Sequence, residues 1–404
     1  MAAFPAGFLW GASTSAHQVE GGCYHNDWWR WEQRPGRIRD GATSQIASGH
    51  YDRFLSDFDL ARRLGHTAHL FSIEWSRIEP EPGAYQEEAI AHYRSVFAAL
   101  EERGLEPICA LNHVTIPAWF AAEGGWSHPG AVRRFCEFAQ RVLREWAPHG
   151  RWWVPFHEPV YTLHMGYEAG AWPPGGRNAS AYRAAVLSVA RAHVETYRIL
   201  KEMRPDAQVG VSVRVRDAMP ADPESPWDTR VARRTRQQSA RAFIDAVAGL
   251  TNEAFDYIGV SYYGRERSEF SPWRELRRIA GLGAGVSDRY RDPNPEGLCT
   301  ALRELAVYAR PLIVTGHGMA AEDDGIRCRL LLDHIEQVSR IIAEGIDVRG
   351  YIFRSFLDGF EWDEGYTARY GLVHVERGSL ARTPNPSAYL FKDICEANAI
   401  RKAR

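Results

Sequence analysis

Lysine is scarce in this 404-residue chain: it occurs only at Lys201, Lys392 and Lys402, so nearly all of the 49 basic residues are arginine. That bias fits a GC-rich genome better than a binding function. The 49 basic residues almost cancel the 51 acidic ones, leaving a net charge of -2. No basic block forms a track for a polyanion, so nucleic acid is not an expected partner. Cysteine is also sparse, and Cys23, Cys109, Cys136, Cys299, Cys328 and Cys395 include no C-x-x-C pair. That argues against a zinc knuckle and against a dense disulfide scaffold, and predicts free thiols in a reducing cytoplasm. No stretch reaches the roughly 18 apolar residues of a membrane helix. Met1 to Trp10 lacks the basic and apolar regions of a secretory signal. The expectation is a soluble, cytoplasmic protein with no membrane partner. Asn178-Ala179-Ser180 has the form of a glycosylation acceptor, but without a secretory signal it is read as a chance tripeptide. Gly281-Leu282-Gly283-Ala284-Gly285 follows a helical pattern rather than a strand, so it does not predict a phosphate loop. No H-E-x-x-H or comparable ligand spacing occurs, and neither metal nor other cofactor is expected.

Apolar and aromatic residues are abundant: 45% of the chain is hydrophobic, 12% is aromatic, and there are 14 tryptophans. Short apolar runs of strand character alternate with longer amphipathic stretches along the whole length. Eight strands are predicted, at Gly7 to Ser13, Thr67 to Glu74, Glu106 to His113, Trp152 to His157, Gln208 to Val215, Tyr257 to Tyr263, Leu312 to Thr315 and Gly350 to Phe356. Helical spacing of apolar residues marks Tyr51 to Leu64, Gln86 to Arg103, Ala131 to Trp146, Tyr182 to Met203 and Gly325 to Ala343. Length alone would allow two or three domains. No linker divides the chain, however, and Asp217 to Arg230 is expected to be an extended βα loop. The fold class expected is α/β: one (β/α)₈ TIM barrel over residues 1–404, a single domain with extended βα loops.

Such barrels carry their sites at the C-terminal ends of the strands. Those ends are rich in polar and aromatic side chains: Gln18 and Glu20, His113, His157 and Glu158, Tyr262 and Tyr263, His317, and Glu361 with Trp362. A ring of this kind suits a small glycoside, whose adjacent hydroxyls take paired hydrogen bonds and whose C–H faces lie on aromatic rings.

The chain carries, in order, Phe4 to Gly21, Phe71-Ser72-Ile73-Glu74-Trp75-Ser76-Arg77-Ile78, His113 with Pro117 and Trp119 followed by Glu123-Gly124-Gly125-Trp126, His157-Glu158-Pro159, and Phe360-Glu361-Trp362. These ordered motifs resemble those of glycoside hydrolase family 1, the retaining β-glycosidases. The resemblance implies that Glu158 is the general acid/base and that Gln18, His113, Glu361 and Trp362 hold the glycone. His157, in place of an Asn, implies a contact to the 2-position. Retaining hydrolysis needs a second carboxyl group about 5–5.5 Å from the first. The family's Thr-Glu-Asn-Gly motif reads Thr315-Gly316-His317-Gly318 here. The resemblance therefore puts Gly316 at the nucleophile position, where a glycine cannot form a glycosyl-enzyme intermediate.

Other departures surround the same point. The resemblance places Leu70 where the family has the Arg that pairs with the nucleophile, Val114 and Arg354 where it has Trp, and Ser261 where it has Asn, while Tyr263 is retained. Arg354 and His317 join the expected substrate-binding set, and Tyr263 and His157 the catalytic one. Two origins stay open: an engineered replacement of the nucleophile, which accounts for Gly316 alone, or natural divergence, in which Gly316 and Leu70 record a charge pair lost together. Two alternatives to an impaired hydrolase also stay open. One is a diverged acid/base enzyme of a natural-product pathway using Glu158 with a nearby His; the other is a non-catalytic sugar-binding protein.

Overall fold

The computed structural model describes residues 2–237, 240–251, 253–268 and 292–400. The glycine-rich stretch Gly281 to Gly285 lies outside the described residues. Eight parallel strands close into a barrel: β1 (Leu9–Thr14), β2 (Ala68–Ser72), β3 (Glu106–Ala110), β4 (Trp152–Val154), β5 (Gln208–Pro220), β6 (Tyr257–Ser268), β7 (Leu312–His317) and β8 (Val348–Phe353). β8 returns to pair with β1, with Leu9 opposite Gly350 and Ala12 opposite Phe353. Each predicted strand overlaps one of these eight. A long helix follows each strand in the outer ring: α1 (His50–Arg63), α2 (Glu87–Glu102), α3 (Ala131–Trp146), α4 (Ala179–Met203), α5 (Ala240–Ala248), α6 (Pro295–Ala306), α7 (Asp324–Ala343) and α8 (Pro386–Ala397).

Period-two alternation sorts each strand between two cores. Ala68, Leu70, Ile108, Ala110, Val154, Tyr257, Ile313 and Ile352 fill the barrel interior, so the barrel is plugged with side chains rather than hollow. Their sequence neighbours face out and join the larger core beneath the helices. On α3 the buried positions are Ala131, Phe135, Phe138, Ala139, Val142, Leu143 and Trp146, the three-and-four spacing of a stripe pressed on a sheet. Truncating Phe138 to Ala would cost about 3–5 kcal/mol. Local caps set the helix starts. The Asn178 side chain accepts from the amides of Ser180 and Ala181, so the residue in the glycosylation-like tripeptide is the N-cap of α4.

Two features differ from the expectation. β5 does not stop at Val215: after a bulge it runs on to Pro220, paired with β6 from Asp217 opposite Arg265 to Pro220 opposite Ser268. The Asp217 carboxylate fixes this extension, accepting from Tyr262, Arg265 and Asn294. The expected loop Asp217 to Arg230 is thus strand at its start and helix (Pro226–Gln237) at its end. The second feature is a bulge in β7. Val260 pairs with Val314 but Ser261 pairs with Gly316, so Thr315 is an extra residue. An added residue reverses the side-chain parity beyond it. His317 therefore points outward.

Candidate active site

The site is a pocket at the C-terminal end of the barrel with about 80 Å³ of free space, several times the roughly 10–15 Å³ needed by one water. Its β1–β8 wall is tightly cross-linked. Gln18 sits on a one-turn helix after β1, and its amide nitrogen donates to Glu361 Oε2 at 2.9 Å and to the Phe360 carbonyl at 3.0 Å. Arg354 forms an ion pair with Glu361 and lies 4.2 Å over the Tyr370 ring. Burial pushes the Glu361 carboxyl up, while Arg354 and Gln18 pull it back down. Trp362 stacks on His17 at 5.6 Å with 8° between the ring planes. His113 meets Trp362 and His157 edge-on at 5.8 and 5.0 Å. Burial holds both His113 and His157 below the usual histidine range, so each presents a neutral imidazole at neutral pH.

Glu158 lies just beyond β4 and adopts φ 50°, ψ 44°. Val114 (φ 66°) and Trp362 (φ 52°) share the left-handed region, and all three line the pocket. Such conformations are costly for non-glycine residues and gather at functional sites. Glu158 Oε1 accepts from the Tyr263 hydroxyl at 2.9 Å. Its Oε2 is 3.7 Å from an Arg214 guanidinium nitrogen. His157 Nε2 lies 3.6 Å from Oε1, and its Nδ1 shares a 3.0 Å hydrogen bond with Ser212. Burial, then the neighbouring Glu158 charge, raises the Tyr263 phenol well above its usual range. It remains a protonated donor.

Gly316 adjoins this cluster through the Tyr263 hydroxyl. A Cβ built there would lie 2.5 Å from the Tyr263 hydroxyl and 2.7 Å from Ser261 Oγ. The other carboxylates lining the pocket among the described residues have partners elsewhere. Glu361 is held by Arg354 and Gln18, Asp363 accepts from the Trp172 indole at 3.0 Å, and Glu364 pairs with Arg39 at 3.0 Å.

Of the residues expected from the sequence, the pocket brings together Gln18, His113, His157, Glu158, Tyr263, Arg354, Glu361 and Trp362. His317 is a correction. It is buried on the outer side of β7, hydrogen-bonded to Tyr351 and with its ring 4.1 Å from that of His334 of α7 at a 37° tilt, because the Thr315 bulge turned it away. It does not line the pocket. Arg214 was missed. Its guanidinium lies 3.9 Å over Tyr161 and 4.5 Å over Tyr263. The signal was present in β5, where Ser212 and Arg214 are two apart among outward-facing valines and must share the inner face.

One buried trio among the described residues, His17, Cys23 and Glu74, has metal-ligand chemistry and spacing. His17 Nε2 has no hydrogen-bond partner among the described residues and lies 3.5 Å from Glu32, but the other donors are engaged, Glu74 accepting from Ser76 and Thr115. The Asn26 side-chain oxygen caps Trp29, so its nitrogen donates to His17 Nδ1, while Arg77 lies 3.3 Å from the Cys23 sulfur. These residues do not fit a resident cation.

The chain matches Glycosyl hydrolase family 1 over residues 1–255 and 250–400. It belongs to that family. Among family 1 relatives, Beta-glucosidase A of Thermotoga maritima is 27% identical over 449 residues, covering 98% of each chain. Human lactase/phlorizin hydrolase is 30% identical over 471 residues, which cover 98% of this chain and 24% of that one. The structure of the Thermotoga maritima beta-glucosidase in complex with glucoimidazole superposes with a TM-score of 0.89 at 26% identity, covering 99% of this chain and 100% of that one. A beta-glycosidase from Pyrococcus horikoshii gives 0.86 at 29% identity, covering 99% and 96%.

Proposed function

We propose that this family 1 chain processes β-glycosides with Glu158 as general acid/base but without a carboxylate nucleophile at position 316. The glycone is held by Gln18, His113, His157, Glu361 and Trp362, with Arg354 bracing Glu361. The observation that carries the reading is the asymmetry around Glu158. Glu158 is a strained, buried carboxyl with three polar partners, and one of these, the Tyr263 hydroxyl, also stands beside Gly316, where no second carboxylate is present. Divergence is favoured over a single engineered replacement, because a side chain at 316 meets Tyr263 and Ser261 and because Leu70 offers no charge to pair with one. Hydrolysis of simple β-glucosides is therefore expected to be slow. A reducing, cytoplasmic setting suits six unpaired cysteines, four of them buried.

Proton donation governs poor leaving groups far more than activated ones, so the test is Glu158→Gln on two aryl β-glycosides. Loss of about 10²–10⁴-fold is expected for an unactivated phenol, with little change for a dinitrophenol. Equal losses on both would remove Glu158 from the acid role, and no turnover of any β-glycoside by the parent chain would overturn the reading.

A further inference from the structure

The two oxygens of the Glu158 carboxyl have different neighbours. Oε1 accepts the 2.9 Å hydrogen bond from Tyr263 of β6 and has His157 Nε2 at 3.6 Å. Oε2 accepts no hydrogen bond among the described residues, and a guanidinium nitrogen of Arg214 stands 3.7 Å from it. A protonated carboxyl carries its hydrogen on one oxygen and accepts on the other. Oε1 is already the acceptor, so Oε2 is the oxygen that bears the proton. Arg214, on β5, is fixed where it stands. Its guanidinium carbon lies 3.9 Å from the centre of the Tyr161 ring and 4.5 Å from that of Tyr263, and Tyr161 is braced edge-on by Trp172 at 5.5 Å. A cation between two ring faces loses its freedom to swing away. Tyr263 thus serves twice, its ring holding the cation and its hydroxyl the acid. Arg214 and Glu158 are 8% and 6% exposed, so salt screens their interaction little.

We propose that Arg214 is a positioning residue for proton transfer: clamped by Tyr161 and Tyr263, it stands at Glu158 Oε2 to receive the negative charge that appears there when the proton leaves. This rests on Glu158 acting as acid/base as set out above. In the step concerned the Oε2–H bond breaks and its electron pair stays on Oε2. The proton bonds to the glycosidic oxygen as that oxygen takes the pair of its bond to the anomeric carbon. Water supplies the oxygen that then bonds to the anomeric carbon and the proton that restores Glu158. Because the guanidinium is in place before the charge develops, it stabilises that charge without rearrangement.

The test is the pH profile of kcat/KM on an unactivated aryl β-glycoside for the unaltered protein, Arg214→Met, Arg214→Lys, Tyr161→Leu and Glu158→Gln. Around Glu158, burial keeps His113 and His157 neutral and Tyr263 protonated, and Arg354 is paired with Glu361. An alkaline limb that Glu158→Gln lacks therefore reports this carboxyl. An opposite charge at this distance favours the ionised form by about 1–3 pH units. Arg214→Met should move the limb upward by that amount. As a weaker acid, Glu158 should then lose about 3- to 30-fold in kcat on the unactivated phenol and almost nothing on a dinitrophenol. Arg214→Lys, which keeps the charge, should lie nearer the unaltered protein, and Tyr161→Leu should move the limb in the same direction by less. A limb unmoved in Arg214→Met overturns the inference and leaves the acid/base reading standing. Should that variant fail to fold, Tyr161→Leu decides, and an unmoved limb there overturns it equally. A limb that persists in Glu158→Gln overturns both.

Discussion

The two faces of the pocket contrast in how their polar atoms are used. On the β1–β8 side, Gln18, Glu361 and Arg354 form one chain of charge-assisted contacts behind Trp362, which itself rests on His17. On the β6–β7 side, Ser261 and Thr315 have buried hydroxyls with no hydrogen-bond partner among the described residues, and Gly316 leaves no room for a Cβ. The first face has its polar atoms paired with one another, and on the proposed reading it holds the glycone's vicinal hydroxyls. The second presents hydroxyl groups and no carboxylate around Gly316. On the proposed reading, recognition and bond-breaking would be carried by different strands of one barrel.

The contrast is tested most severely at Glu361. Glu361→Ala would leave the Arg354 guanidinium and the Gln18 amide without their shared carboxylate. Losing one partner of a buried charge pair costs about 3–5 kcal/mol of folding stability, and losing a charged acceptor for the glycone hydroxyls should separately lower glycoside affinity in calorimetry by about 1.5–3 kcal/mol. An unchanged affinity would mean that the β1–β8 wall does not hold the glycone. Next in size is Gly316→Ala. Forcing a methyl against Tyr263 and Ser261 should lower stability in urea by about 1–3 kcal/mol, whereas a neutral result would show that the β6–β7 face is open rather than filled.

Acid offers a control on the shell outside both faces. His66 is fully buried between Phe356 and Phe391, and burial lowers its pKa to about 3. The unfolded chain takes up a proton near the ordinary value of about 6.5, so stability is complete above that pH and declines as pH falls toward 3. The loss from pH 7 to 5 is about 2 kcal/mol from this residue. Chemical unfolding at the two pH values checks it, and pH–rate profiles are best compared above that range. The smallest expected effect is His317→Phe. It should cost about 1 kcal/mol of stability through the unpaired Tyr351 hydroxyl and leave glycoside KM unaltered; a raised KM would return His317 to the pocket.

Much of this was legible before the fold was known. Period-two and three-and-four spacing located all eight strands and five of the long helices, because burial of one face leaves its period in the sequence. The glycone-side residues Gln18, Glu361 and Trp362 stood in unbroken motifs. Arg214 was readable from its alternation with Ser212 but carried no motif. His317 was misplaced because a bulge adds a residue without any mark in composition, so counting along β7 assigned the wrong face. The length of β5 was missed because Asp217 is a poor strand former in isolation; Tyr262, Arg265 and Asn294, distant in sequence, hold it in place.

The sequence by itself determined the barrel, its family and the identity of the residue at position 316, since these depend on periodicity and on ordered motifs. Only the tertiary structure decided that Tyr263 and Ser261 occupy the space a side chain at Gly316 would need, that Arg354 serves Glu361, and that His317 faces the helices. Those outcomes depend on which atoms from separate strands come within a few ångströms of one another, and strand register, bulges and ring packing fix that only when the barrel closes.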